Sequence, residues 1–262
     1  MINIEENLLI SYLISKFDKK SIIDDILNHS KEEKKNIFIG LNADCFNLST
    51  KNNEYLTILQ SGGYRIYPDG MSIVWAMKFL HNVKQERIVT TDLILYLLER
   101  IRNEKMDISI GFVGGNNNIA EGAKKYLNQK FNIGAIKFSY EPSFISLKDA
   151  SNAESMEVKK LIDVLKEKPT DIIFLGFGCP KQEILCHTIL KKIPQKVIIT
   201  CGGLFSYYSG HHERAPLWMQ NIGLEWFFRL YLEPKRLWKR YLIGNFIFLI
   251  IIVKNKFKHY FS

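Results

Sequence analysis

The chain has no Cys-x-x-Cys pair and no histidine at zinc-ligand spacing; its four cysteines, Cys45, Cys179, Cys186 and Cys201, lie far apart. That excludes a disulfide scaffold or a zinc module and fits reduced thiols of a cytosolic protein. Walker A, His-Glu-x-x-His and Gly-x-Ser-x-Gly sequences are missing, and His211-His212-Glu213 has the wrong spacing for a helical zinc site. There is no Asp-x-Asp, the carboxylate pair by which many sugar-nucleotide enzymes hold a divalent cation. A departing diphosphate would therefore have to be neutralised by protein cations. A dinucleotide fingerprint fits poorly, because GFGCPK has no third glycine and no acid ends the strand that follows. No cofactor motif remains. The longest apolar run, Leu242 to Val253, contains Gly244 and Asn245 and falls short of the ~20 residues that cross a bilayer. The N-terminal MINIEENLL is acidic ahead of its apolar residues, which argues against a signal peptide. The expectation is a chain that is soluble or lies on a membrane surface.

What is present is a core-forming composition with an uneven charge. Hydrophobic residues make up 47% of 262 positions, which excludes disorder. The net charge is +9, and beyond position 210 nine bases face only three acids. The basic partner surface is thus the C-terminal tail.

Strand and helix patterns alternate along the chain. Two short helices are expected over 5–34, then a strand at Ile37–Ile39 and a helix over 51–60. Glu86–Val89 reads as a short strand and Leu93–Arg102 as a helix. Further strands are expected at 108–113, 135–138, 171–175 and 197–200, with helices at 119–131, 154–166 and 181–191 between them. This alternation predicts an α/β fold with a mostly parallel sheet flanked by helices, Rossmann-like in layout. Beyond residue 208 the chain turns aromatic, basic and helical, with Pro234 breaking or restarting a helix. The division expected is a core over 1–208 and an appendage over 209–262.

The stretch from Arg65 to Leu80, RIYPDGMSIVWAMKFL, is the organising one. A short strand at Ile66-Tyr67 meets Pro68-Asp69-Gly70, then a helix with Met71, Val74, Trp75 and Lys78 on one stripe and Ile73, Met77 and Leu80 on the next. Asp69 therefore lies at a strand end beside a helix N-terminus, where open α/β sheets bind ligands. It reads either as that helix's cap or as a catalytic carboxylate. Three other strand ends carry glycine turns: Gly114-Gly115, Gly176-Phe177-Gly178 and Gly202-Gly203. On one sheet edge they favour a nucleotide or sugar-phosphate site. Gln182 and Glu183 follow Pro180 and either steady the first turn of their helix or recognise a sugar or base. In the tail, Arg229, Arg236 and Arg240 would share a face of a continuous helix, interleaved with Trp226, Phe227, Phe228, Trp238 and Tyr241. Bases mixed with large aromatics describe an interfacial helix on anionic lipid better than a nucleic-acid surface, because Ile243 to Val253 is too apolar for the latter.

Taken together, LNADCFNLS, YPDGMSIVWA, ERIVTTDL, GFVGG, DIIFLGFGCPKQE and ERAPLWMQNIGLEWFFRLYLEPKRLWKRYL resemble the WecG/TagA/CpsF family of bacterial glycosyltransferases, glycosyltransferase family 26. The resemblance spans roughly Ile37 to Phe248. It implies an inverting, metal-independent transfer from a UDP-sugar to an undecaprenyl-diphosphate-linked saccharide in the making of a capsule, teichoic acid or exopolysaccharide. The site implied is cytoplasmic, peripheral on the inner face of the bacterial membrane. The family's proposed base matches Asp69, and its strand-end Asn matches Asn42. Arg87 and Asp92 of ERIVTTDL join the candidate substrate-binding residues, with the PKQE of Pro180 to Glu183. Arginines that close over the site and hold the diphosphate match Arg214, Arg229 and Arg236. Gly40 stands where many members carry threonine, and Thr90 where many carry glycine. The donor sugar, an N-acetylmannosamine type or glucose, is not legible, and a homo-oligomer is compatible with the sequence. Two other readings of the residues stay open: an NAD(P)-dependent oxidoreductase on the same sheet, and a non-catalytic, membrane-docked nucleotide-binding subunit.

Overall fold

The computed structural model describes residues 17–32 and 35–261. The helix expected ahead of residue 17 lies outside the described residues. The described chain begins with α1 (Lys19–Lys31), started by a capping box between Asp18 and Ser21. Six strands follow: β1 (Asn36–Leu41), β2 (Arg65–Pro68), β3 (Ile110–Gly114), β4 (Ile136–Tyr140), β5 (Ile172–Gly176) and β6 (Val197–Thr200). They form one parallel sheet in the order β2-β1-β6-β5-β3-β4. The inner strands read IIFLG and VIIT, without polar alternation, because both faces are covered.

Side-chain alternation sorts the strands into two cores. Ile37, Ile39, Ile173, Leu175 and Ile198 meet one group of helices: α2 (Ala43–Ser49), α3 (Asn53–Gln60), α4 (Met71–His81), α8 (Met156–Glu167) and α9 (Lys181–Ile189), preceded by the one-turn α7 (Leu147–Ala150). Phe38, Phe112, Phe174 and Ile199 face the other way, against α1, α5 (Thr90–Asn103), α6 (Ile119–Phe131) and α10 (Leu204–Tyr208). The neighbours β1 and β6 thus send their following helices to opposite faces. A crevice opens between them at the strand C-termini.

Several local readings change. The segment 86–89 is extended but outside the sheet, touching β2 through one bond from Ile88 N to Pro68 O (2.9 Å). Helix α2 begins directly after Asn42, where a loop was expected. In α4 the buried stripe is Ile73, Ala76 and Met77, and Trp75 faces outward.

The tail folds as α11 (Leu217–Asn221), α12 (Glu225–Leu232), α13 (Pro234–Trp238) and α14 (Gly244–Phe261), with a π-turn at Lys239–Ile243 joining the last two. Pro234 restarts the helix at its first position, which lacks an N–H partner anyway. Phe248 and Ile252 of α14 enter the first core, where Phe248 packs edge-on to Phe46 at 5.3 Å. Asn47 Nδ2 donates to Gly244 O at 2.7 Å beside them. No helix among the described residues is long and apolar enough to cross a membrane.

Candidate active site

A cavity of about 1350 Å³ occupies the crevice, floored by strand ends and walled by α4 and the tail. The floor is tied together by backbone. Asp69 N and Gly70 N both donate to Leu41 O, joining β2's end to β1's. Asn42 caps α2, its Oδ1 accepting from Asp44 N and Cys45 N at 3.1 Å each. Gly70 is needed there, since a Cβ on it would come within 3.0 Å of Asn42 Cβ.

Asp69 lies at the cavity floor and does not cap α4, whose N-cap Gly70 makes no side-chain bond. Its Oδ1 accepts from Thr90 N at 2.8 Å and Thr90 Oγ1 at 3.2 Å, at the first turn of α5. Among the described residues nothing donates to Oδ2. Burial raises the Asp69 carboxyl above its ordinary value, against the opposing pull of Thr90's donors and the Arg87 charge. The result is a stronger base than a surface aspartate, with one oxygen uncommitted.

The glycine ends of β3, β5 and β6 form a row in backbone contact. A Cβ on Gly114 would stand 2.3 Å from Gly176 O, and one on Gly176 would stand 2.8 Å from Gly202 O. Close approach of the strand ends accounts for Gly114 and Gly176 before any ligand does, whereas Gly202 has open space at its Cβ position and a left-handed φ of +51°. Gln182 then bridges two of the loops, its Oε1 accepting from Gly178 N at 3.2 Å and Gly202 N at 3.1 Å. Its Nε2 donates to Glu183 Oε1 at 2.7 Å. Glu183 is fully buried, and desolvation pushes its carboxyl up to about 7.

Of the residues singled out in the sequence, Asn42, Asp69, Arg87, Gly115, Gly176, Gly178, Gln182, Gly202, Gly203, Arg229 and Arg236 line the cavity. Gly114, Asp92, Glu183 and Arg214 do not line it. Arg214 binds both Asp92 oxygens and, at 3.2 Å, Glu225 Oε1. Arg87 donates to Asp69 O and Gln220 O, both at 3.1 Å, and pairs with Glu225. The alternating set Arg87–Glu225–Arg214–Asp92 thus fastens the tail to the core directly behind Asp69. Arg236 is held by Glu233 through two bonds of 2.6 and 2.7 Å, and Arg240 pairs with Asp44 at 3.0 Å. Arg229 differs: no ion pair holds it among the described residues. It stacks 5.5 Å from the Tyr207 ring, with Nη2 3.7 Å from where Gly203 would carry a Cβ.

The sequence reading passed over Glu225 and Tyr207. Glu225 had a signal, being one of three acids in a tail of nine bases. Tyr207 had none, since its role depends on a partner 22 residues on.

The chain spans most of the length of the curated relatives it matches. It is 29% identical over 223 residues to the N-acetylglucosaminyldiphosphoundecaprenol N-acetyl-beta-D-mannosaminyltransferase of Bacillus subtilis (strain 168), covering 85% of this chain and 81% of that one. The protein of the same name from Staphylococcus aureus (strain MRSA252) is 27% identical over 249 residues, 92% of each chain. The family model described as "Glycosyl transferase WecG/TagA/CpsF family" matches residues 7–262. With its carboxylate, glycine row and cationic tail gathered at one sheet edge, the chain belongs to the WecG/TagA/CpsF family of glycosyltransferases.

Proposed function

We propose that this glycosyltransferase transfers an N-acetylmannosamine-type sugar from a UDP-sugar to an undecaprenyl-diphosphate-linked saccharide, with inversion and without a metal. The transfer would serve assembly of a cell-surface polysaccharide. The observation that carries the reading is Asp69, a half-buried carboxylate at the cavity floor whose Oδ2 has no donor among the described residues. The acceptor hydroxyl oxygen attacks the anomeric carbon as its proton passes to Asp69 Oδ2. The bond from that carbon to the diphosphate oxygen breaks, and UDP leaves with the electron pair. Arg229, which no ion pair holds among the described residues, meets the growing charge, with Arg236 lining the same cavity. The relatives' names supply the choice of sugar and acceptor.

The cavity's outer rim supports a membrane-facing acceptor. Trp75 and Phe79 of α4 and Phe246 and Leu249 of α14 line the cavity yet are 56%, 46%, 64% and 57% exposed. So large an apolar rim beside the bases of the tail fits docking on an anionic leaflet, with the prenyl chain at the rim and the diphosphate inside. The rim supports a peripheral position on the inner face of the cell membrane.

The test is UDP release from a set of UDP-sugars with a short-chain prenyl-diphosphate N-acetylglucosamine acceptor. Acceptor-dependent turnover with UDP-N-acetylmannosamine is expected. Turnover with UDP-glucose instead would move the donor assignment. Binding of NAD(P) without binding of UDP would overturn the reading.

A further inference from the structure

Gly40 and Thr90 are 50 positions apart in sequence but face each other across the floor of the cavity, beside Asp69. A Cβ at position 40 would stand 3.0 Å from Thr90 Oγ1, 3.2 Å from Asp69 Cβ and 3.3 Å from the Tyr67 ring. The space holds one hydroxyl-bearing side chain, not two. Thr90 supplies it: Oγ1 lies 3.2 Å from Asp69 Oδ1 and 2.8 Å from Tyr67 OH. An ionised carboxylate only accepts, so the Thr90 proton points at Asp69 and Tyr67 OH donates to Thr90. Tyr67 is fully buried and cannot turn to water. The chain Tyr67–Thr90–Asp69 is therefore directional, and with Thr90 N it gives Oδ1 two donors.

We propose that Thr90 is the positioning residue for Asp69, its hydroxyl fixing Oδ1 so that Oδ2 is presented to the acceptor, and that position 40 is glycine because the hydroxyl arrives from Thr90. The proposal rests on the reading of Asp69 as the base. It also makes positions 40 and 90 one coupled unit: a threonine at 40 would put its own hydroxyl in the space that Oγ1 of Thr90 now fills.

The experiment is the pH profile of kcat and kcat/KM for Thr90→Val, Thr90→Ser, Tyr67→Phe, Gly40→Thr, the double variant Gly40→Thr/Thr90→Gly, and Asp69→Asn. Thr90→Val keeps the backbone donor and the shape but loses the hydroxyl. Its kcat should fall by roughly 10- to 100-fold, the cost of a misplaced reacting group, with KM for the donor sugar little changed. Its acid limb should move to higher pH, because a hydrogen bond to the charged carboxylate is gone. Thr90→Ser should restore both, and Tyr67→Phe should cost less than Thr90→Val because the Thr90 proton survives. Gly40→Thr alone should be impaired by crowding, and the double variant should regain much of the loss. A Thr90→Val enzyme with normal kcat and an unmoved acid limb, while Asp69→Asn is dead, overturns the role of Thr90 alone. A fall in kcat with an unmoved limb that serine does not rescue marks Thr90 as merely structural and also overturns it. An active Asp69→Asn enzyme removes the base and the proposal together.

Discussion

Replacing Glu183 with glutamine should make the protein more stable, and only above a definable pH. Glu183 has no solvent exposure; Oε1 takes the Gln182 amide at 2.7 Å, and among the described residues Oε2 has no hydrogen-bond partner. Burial moves the carboxyl from 4.5 to about 7, so in this range the native state holds a proton that the unfolded chain has released. Stability from this group is therefore greatest below about pH 4.5 and falls as pH rises through about 7. At about 1.4 kcal/mol per pH unit, the full loss is about 3 kcal/mol. Glutamine has the same shape, keeps an acceptor for Gln182 and carries no charge. Urea denaturation of both proteins across pH 5 to 8.5 reads the difference, in which other titrating groups cancel. The variant's advantage should grow by about 2–3 kcal/mol over that range. A difference that stays flat would show that Glu183 is ionised, with a hidden partner, at every pH tested.

Three further outcomes follow from the packing and the charges. Arg229→Ala should lower kcat by about 100-fold, the cost of losing one stabiliser of a developing anion, with circular dichroism unchanged; a loss confined to KM would make it a ground-state contact. Phe248→Ala should cost about 3 kcal/mol in urea unfolding, because the ring is buried against Phe46, and a loss under 1 kcal/mol would mean that α14 is only loosely attached. Gly114→Ala should destabilise by about 2 kcal/mol or more, since φ is +116° and the new Cβ would meet Gly176 O at 2.3 Å; unchanged stability would refute the close approach of the strand ends.

The layers of the fold were legible because the inner strands are uninterrupted apolar runs and the helices between them are long. The segments 119–131 and 197–200 are found within the bounds expected of them. Short elements were harder: no helix was expected between the strand at Ile37–Ile39 and residue 51, whereas the Asn42 side chain caps α2, which starts beside it. Glu86–Val89 carries strand composition, yet it meets the outer strand β2 through one bond only. Site residues within a motif could be named, but their partners could not. The link from Asp69 to Thr90 spans 21 positions, and that from Arg87 to Glu225 spans 138. Local pattern tells which side chains sit at strand ends. It does not tell that Arg214 is taken by Asp92 and Glu225 while no ion pair holds Arg229 among the described residues, because that depends on how the tail returns.

The most direct test of the whole account is single-turnover transfer by Asp69→Asn, measured beside its affinity for the UDP-sugar. The amide keeps an oxygen for the Thr90 donors but has no basic oxygen for the acceptor proton. Donor affinity should stay within about threefold while transfer falls by at least about 100-fold, the contribution typical of a positioned base. Transfer at near-normal rate with normal donor affinity would contradict the assignment of chemistry to this carboxylate.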